Sequence, residues 1–272
     1  MRIKITFKLP HHRQLLTLNY QYPLSSWIYR VLEKGDREFS KFLHEKGYQL
    51  ENQKRFKLFT FSGLQFPAKT SQIIKGSDRM EIFSGTAQLI LAFQVTTAVG
   101  TFITGLFKDQ KAKIGDQISS MKMEVANVEM LPEPAIGSMM KIRALSPVVI
   151  SKLGDGDRYE QYLKPGDKDY DTLFFRNLTD KFSIFALNND GKKVLTGERL
   201  SFRCLTAAPK SRLQTIKAHT SEEVKVKGYL FDFEIEAPPE LIKTGLDSGF
   251  GAMNALGFGC GEIINNNIKN EL

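Results

Sequence analysis

The sequence predicts an α+β fold built from two tandem βαββαβ halves. Three observations carry that expectation. Strand-like and helix-like hydrophobic patterns run through the same order twice. The stretch 131–137, with Pro132, Pro134 and Gly137, forbids regular structure between the two runs. A chain of 272 residues suits two domains, at roughly 150 residues each, better than one or three. Hydrophobic residues at 42% and charged residues at 25% are ordinary for a globular chain and exclude disordered, collagen-like and coiled-coil classes.

In the first half, Ile3, Ile5, Phe7 and Leu9 alternate with Lys4, Thr6 and Lys8, the period of a half-buried strand. Ser25 or Ser26 can cap a helix carrying Trp27, Ile28, Val31 and Leu32, which Gly35-Asp36 interrupts. Asp36 can cap a second helix that buries Phe39, Phe42 and Leu43 and stops at Gly47. Strands follow at 56–66 and 80–95, the second bent or split at Ser84-Gly85. Thr96 or Thr97 can cap a helix through Phe107, and 121–130 alternates as a closing strand.

In the second half, 139–151 reads as a strand, 169–187 as a helix, and 200–207 and 224–236 as strands. A short helix at 240–246 is opened by Pro238-Pro239, and 258–264 is a last strand after a glycine-rich loop. No residue-level repeat accompanies the recurrence, so it is architectural. The simplest topology is a tandem of ferredoxin-like (RRM-like) domains at 1–131 and 138–272.

Lys+Arg 38 against Asp+Glu 30 leaves +8, an excess that favours polyanionic partners and fits a nucleic-acid binder. Two cysteines, Cys204 and Cys260, exclude a four-cysteine zinc site and a disulfide framework and suggest a reducing compartment. The N-terminal run MRIKITFKLP lacks the continuous apolar core of a secretory signal, so the expected location is the cytoplasm. Residues 82–107 carry no charge, but Gly85, Gly100, Gly105, Gln88, Gln94 and five threonines make them buried strand, turn and helix rather than a membrane span.

The strongest local signal is the run GFGAMNALGFG at 249–259, in a region where six of the 21 glycines lie between Gly245 and Gly261. Glycines allow positive φ and close backbone approach, and successive N–H groups can hold phosphate oxygens. A dinucleotide or ATP fingerprint needs strand, loop, helix; here the order is helix, loop, strand, and no Gly-Lys-Ser/Thr follows. A tight turn that only returns a helix to an edge strand remains the structural alternative.

This loop resembles the signature of the repeat-associated RNA-binding superfamily of CRISPR systems, and within it the chain resembles the Cas-six (Cas6) endoribonucleases. The resemblance runs through Trp27-Ile28-Tyr29, Phe42-Leu43-His44-Glu45, Lys57-Leu58-Phe59-Thr60-Phe61-Ser62, Leu145-Ser146-Pro147-Val148 and the terminal loop. It implies two ferredoxin-like domains and metal-independent cleavage of precursor CRISPR RNA in its repeats. The ribose 2′-hydroxyl would attack the adjacent phosphate, leaving a 2′,3′-cyclic phosphate and a 5′-hydroxyl, with no cofactor.

Such chemistry needs a proton acceptor, a proton donor and a cation for the charge building on phosphorus. His44 falls on the family's catalytic histidine, while His11, His12 and His219 lack a matching context; Lys57 and Tyr29 match the other two family positions. Each has a plainer alternative: a cation at a helix C-terminus for His44, a solubilising edge lysine for Lys57, a half-buried core tyrosine for Tyr29. Lys57, Phe59 and Phe61 are expected on one face of a strand. An unbroken helix would hold Tyr29 about 22 Å from His44, so one site requires Gly35-Asp36 to fold the second helix back.

For RNA binding, the resemblance points to Gly249, Gly251, Asn254, Gly257, Phe258 and Gly259. The loop departs from the family by lacking an internal basic residue, which leaves its backbone and Asn254. Lys192, Lys193, Arg199, Arg203, Lys210, Arg212 and Lys217 against Glu198 give a local net of 7 − 1 = +6, so Arg199, Arg203, Lys210 and Arg212 are the expected basic contacts. The implied partner is CRISPR repeat RNA; effector-complex subunits and a second copy of the chain are further candidates. The competing reading is a non-catalytic RNA-binding subunit of an effector complex on the same fold. A metabolic enzyme finds no convergent carboxylates or metal-ligand spacing in its support.

Overall fold

The computed structural model describes residues 1–50, 54–153, 160–188, 199–218 and 220–264. Strand Arg2–Lys8 lies at the centre of a five-stranded antiparallel sheet, in the order Phe59–Phe61, Thr86–Phe93, Arg2–Lys8, Ser120–Met130, Lys111–Gly115. Its alternation turns Ile3, Ile5 and Phe7 fully inward. Helix α1 (Gln21–Gly35) is followed by α2 (Arg37–Lys41), and α1 packs beside α3 (Thr96–Lys108) over this core. Trp27 is wedged edge-on between Phe7 and Phe102, at centroid distances of 5.6 and 6.0 Å. Leaving aside the extra edge strand Lys111–Gly115, the spatial order is second, third, first, fourth, that of a ferredoxin-like domain.

The second half repeats that order in a four-stranded sheet, Ser201–Cys204, Asp232–Glu236, Met139–Ala144, Gly261–Ile263. Helices α4 (Tyr170–Asn188) and α5 (Pro239–Ser248) contribute to its core. Phe174, Phe233 and Phe250 form the centre of that core, with ring centroids 5.2 to 5.9 Å apart. Both halves are ferredoxin-like, as the element order implied.

Several expected elements are divided. Residues 80–95 contain Arg79–Ile82, in a separate three-stranded sheet with Gln14–Thr17 and Ser71–Ile73, and Thr86–Phe93 in the main sheet. Within 224–236, Val224–Leu230 pairs with Lys210–Ile216 as a projecting hairpin, and only Asp232–Glu236 joins the sheet. The strand expected over 139–151 leaves the sheet after Ala144. The break at 83–85 is the one expected at Ser84-Gly85; the other two divisions were not visible, because hydrophobic alternation is the same whichever sheet a strand joins. α1 starts at Gln21, so neither Ser25 nor Ser26 is its cap, and α3 begins after Val95 without a side-chain cap. Among the described residues, no helix is long and apolar enough to cross a membrane.

α1 and α3 touch backbone to backbone. A β-carbon on Gly105 would overlap the Val31 carbonyl oxygen, and one on Gly35 would overlap that of Thr101. Gly105→Ala should therefore destabilise the protein by about 1–3 kcal/mol through overpacking, read as a lower urea midpoint with unchanged slope. Gly100, with nothing within 4 Å of its β-carbon position, is the control on the same helix.

Candidate active site

Gly35 ends α1 and Asp36 turns the chain. Asp36 Oδ1 accepts the Phe39 N–H at 3.0 Å, the cap its position suggested. α2 runs on into a wider π turn, Phe42–Lys46, closed by the Gly47 N–H donating to the Phe42 carbonyl at 2.7 Å. Gly47 stands at φ +66°, a conformation costly for any residue with a β-carbon. The second helix is thereby folded back on the first, and the rings of Tyr29 and His44 meet edge to face at 5.3 Å. Ser40 Oγ, donating to the Tyr29 carbonyl at 3.2 Å, holds the fold-back closed.

Lys57 reaches the same place from a third element. The strand begins only at Phe59, because Leu58 adopts φ +53°. That kink corrects the expectation that Lys57 shares a strand face with Phe59 and Phe61. Lys57 Nζ donates to the His44 carbonyl at 2.8 Å. A β-carbon on Gly47 would stand 3.3 Å from that nitrogen, so the glycine also leaves the ammonium its path.

Electrostatics separate the three groups. Burial pushes the Tyr29 phenol far above its ordinary range, which favours its neutral form. Burial lowers the Lys57 pKa, and the Arg55 guanidinium lowers it further. His44 is exposed to solvent.

Tyr29, His44 and Lys57 line one cleft of about 610 Å³ between the two halves. Its far wall is the glycine loop, from Ala252 to Leu256, and the α4 residues Asn177 and Lys181. The loop is bound to the first half by two buried hydroxyls: Ser25 Oγ donates to Ala255 O at 2.6 Å, and Thr60 Oγ1 to Phe258 O at 2.9 Å. A Lys54–Asp180 ion pair at 2.7 Å bridges the first half to α4.

The expected RNA contacts fall into three groups. Gly249, Gly251, Asn254, Gly257, Phe258 and Gly259 are all buried. Asn254 Nδ2 donates to Phe250 O at 3.3 Å and Phe258 O at 3.0 Å, so this end of its amide closes the loop, while the residue itself lines the cleft. The loop lines the cleft with residues 252–256, of which Ala252, Met253 and Leu256 are the more exposed. Arg199 and Arg203 are exposed but paired, with Glu236 at 3.4 Å and Glu234 at 2.7 Å. Lys210 and Arg212 stand exposed on the projecting hairpin, and neither pairs with a carboxylate among the described residues, whereas Lys217 is paired with Glu222. Lys192, Lys193, Glu198 and His219 lie outside the described residues.

Sequence reasoning missed Lys181, Lys225 and Lys227. Lys225 and Lys227 lie on the second strand of the hairpin, outside the 192–217 window. Lys181 carried a readable signal, since it interrupts the apolar stripe Phe174, Leu178, Phe182 on a helix whose polar positions had no need of that face.

The class is that of tandem ferredoxin-like proteins, with a cleft between the halves that holds His, Tyr and Lys on one wall and a glycine loop on the other. The family described as CRISPR-associated protein Cas6, N-terminal, matches residues 15–126, and CRISPR associated protein Cas6, C-terminal, matches 131–263; the chain belongs to the Cas6 family. It is 27% identical to CRISPR-associated endoribonuclease Cas6 1 of Methanocaldococcus jannaschii, over 100% of this chain and 95% of that one. It is 24% identical to CRISPR-associated endoribonuclease Cas6 of Pyrococcus furiosus, over 97% and 87%. A solved Cas6-related structure from Pyrococcus furiosus shares the fold at TM-score 0.79 and 22% identity, over 98% of this chain and 99% of that one.

The Tyr29 environment has a measurable consequence. The folded state keeps the phenol proton above the ordinary value of 10.0, so the unfolded chain releases it first as pH rises. The associated stability is complete below about pH 10 and is lost above it. In urea melts, Tyr29→Phe should lose less stability than the parent between about pH 9 and pH 11.

Proposed function

We propose that the chain is an endoribonuclease that cuts CRISPR repeat RNA in precursor transcripts. The observation that carries this reading is the convergence of Tyr29, His44 and Lys57, from three separate elements, on one cleft facing the glycine loop. The family supports the substrate class, since two curated relatives are named CRISPR-associated endoribonucleases.

The groups present supply a transesterification without a metal. The exposed His44 imidazole takes the proton of the attacking 2′-hydroxyl and returns it to the departing 5′-oxygen. Tyr29 packs edge to face against the imidazole and orients it. Lys57 brings a cation to the charge growing on the phosphate oxygens. Bond formation from the 2′-oxygen to phosphorus and loss of the 5′-oxygen leave a 2′,3′-cyclic phosphate and a 5′-hydroxyl. The RNA is gripped by the hairpin cations Lys210, Arg212, Lys225 and Lys227, none of which pairs with a carboxylate among the described residues.

Incubation with repeat RNA in EDTA should give cyclic-phosphate ends. His44→Ala should lower the single-turnover rate by about 10²–10⁴ with little change in affinity. Undiminished cutting would remove His44 from the mechanism, and tight binding without cutting by the parent would assign a non-catalytic RNA-binding subunit instead. Arg212→Ala and Lys227→Ala should each reduce the slope of log affinity against log salt by about 0.7–0.9, measured by filter binding.

A further inference from the structure

Lys181 is 1% exposed. Its Nζ donates to the carbonyl oxygens of Gly249 at 2.7 Å and Gly251 at 2.6 Å. No carboxylate among the described residues pairs with it, and burial holds its pKa well below the usual lysine value. Removing an ammonium from water costs several kcal/mol, so an apolar side chain on this stripe of α4 would be the cheaper way to fill a core. What an apolar side chain could not do is hold two backbone oxygens of the glycine loop.

The loop that Lys181 holds is the wall of the cleft that is hydrogen-bonded to both halves. Behind it, Gly249 and Gly251 are tied to α4 of the second half. In front, Ala255 and Phe258 are tied to Ser25 and Thr60 of the first half. Ser25 lies one helical turn before Tyr29 on α1, and Thr60 follows Phe59, whose ring meets that of Tyr29 at 5.6 Å. An unbroken path of hydrogen bonds and packing therefore runs from Lys181 to the Tyr29–His44 pair.

We propose that Lys181 is a positioning residue that, by clamping the Gly249 and Gly251 carbonyls, sets the placement of the second half, and of the RNA it grips, against Tyr29, His44 and Lys57. The inference rests on the endoribonuclease reading. Loss of the clamp leaves the hairpin cations in place, so RNA still binds. The scissile phosphate no longer sits in register with the imidazole, and displacements of about 1 Å can cost on the order of 10²-fold in rate.

The test compares Lys181→Met and Lys181→Ala with the parent, using repeat RNA under single-turnover conditions at saturating protein, with amide exchange of residues 249–257 followed in parallel. The expected result is a folded Lys181→Met protein whose affinity changes less than about threefold while cutting of bound RNA slows about 10- to 100-fold and the loop amides exchange faster. In Lys181→Ala, n-propylamine, which replaces the missing amine, should restore part of the rate, whereas n-propanol should not. An unchanged rate on bound RNA, or equal rescue by the alcohol, overturns the proposal. If Lys181→Met does not fold, Lys181→Gln, which keeps a donor, takes its place, and failure of both to fold makes Lys181 a core residue and also overturns it. A parent that cuts no repeat RNA defeats the endoribonuclease reading alone, and slower loop exchange in the parent than in the variants still reports the clamp.

Discussion

Two buried hydroxyl-to-carbonyl hydrogen bonds, Ser25 to Ala255 and Thr60 to Phe258, hold the cleft together. Each ferredoxin-like half has its own core, around Phe7, Trp27 and Phe102 and around Phe174, Phe233 and Phe250, and Ala255 of the glycine loop is packed into the first. Donor and acceptor are both out of water, so breaking either bond leaves an orphaned polar group that solvent cannot satisfy. The seam is therefore directional in a way that apolar contact is not. It fixes which residues of the glycine loop face Tyr29 and His44, and at what distance.

Charge is divided just as selectively. The open face of the second sheet carries Arg143 against Asp232 and Arg203 against Glu234, with Arg199 against Glu236 at its margin. Cross-strand pairs of this kind satisfy their own charges and leave little field for a polyanion. On the projecting hairpin, Lys210, Arg212, Lys225 and Lys227 stand without such partners among the described residues. The formal +8 of the chain is thus spent unevenly, with self-neutralising rows on the sheet and unneutralised cations on the hairpin. The field offered to a polyanion follows the second distribution and not the total.

Much of the fold was legible because it rests on short-range rules. The alternation of Ile3, Ile5 and Phe7 buried the expected face, Asp36 capped α2, and Gly47 stopped it. Tyr29, His44 and Lys57 were reachable through resemblance, and the Gly35-Asp36 interruption already contained the fold-back that unites the first two. The roles of Asn254, Arg199 and Arg203 were not legible. Whether an amide points into a loop or out of it, and whether an arginine is free or paired, depends on strands far away in the chain. The Leu58 kink that redirects Lys57 falls where the apolar alternation changes phase, from Phe56 and Leu58 to Phe59 and Phe61.

By itself the sequence determined the two-domain ferredoxin-like plan, the glycine loop and the residue types at the cleft, since periodicity, caps and left-handed glycines act over a few neighbouring residues. Only the tertiary structure decided which carbonyls Lys181, Ser25 and Thr60 would hold, and which cations would remain unneutralised. Those outcomes are hydrogen bonds and ion pairs across separations of 31 to 230 residues, and partner choice at that range is set by packing rather than by local pattern.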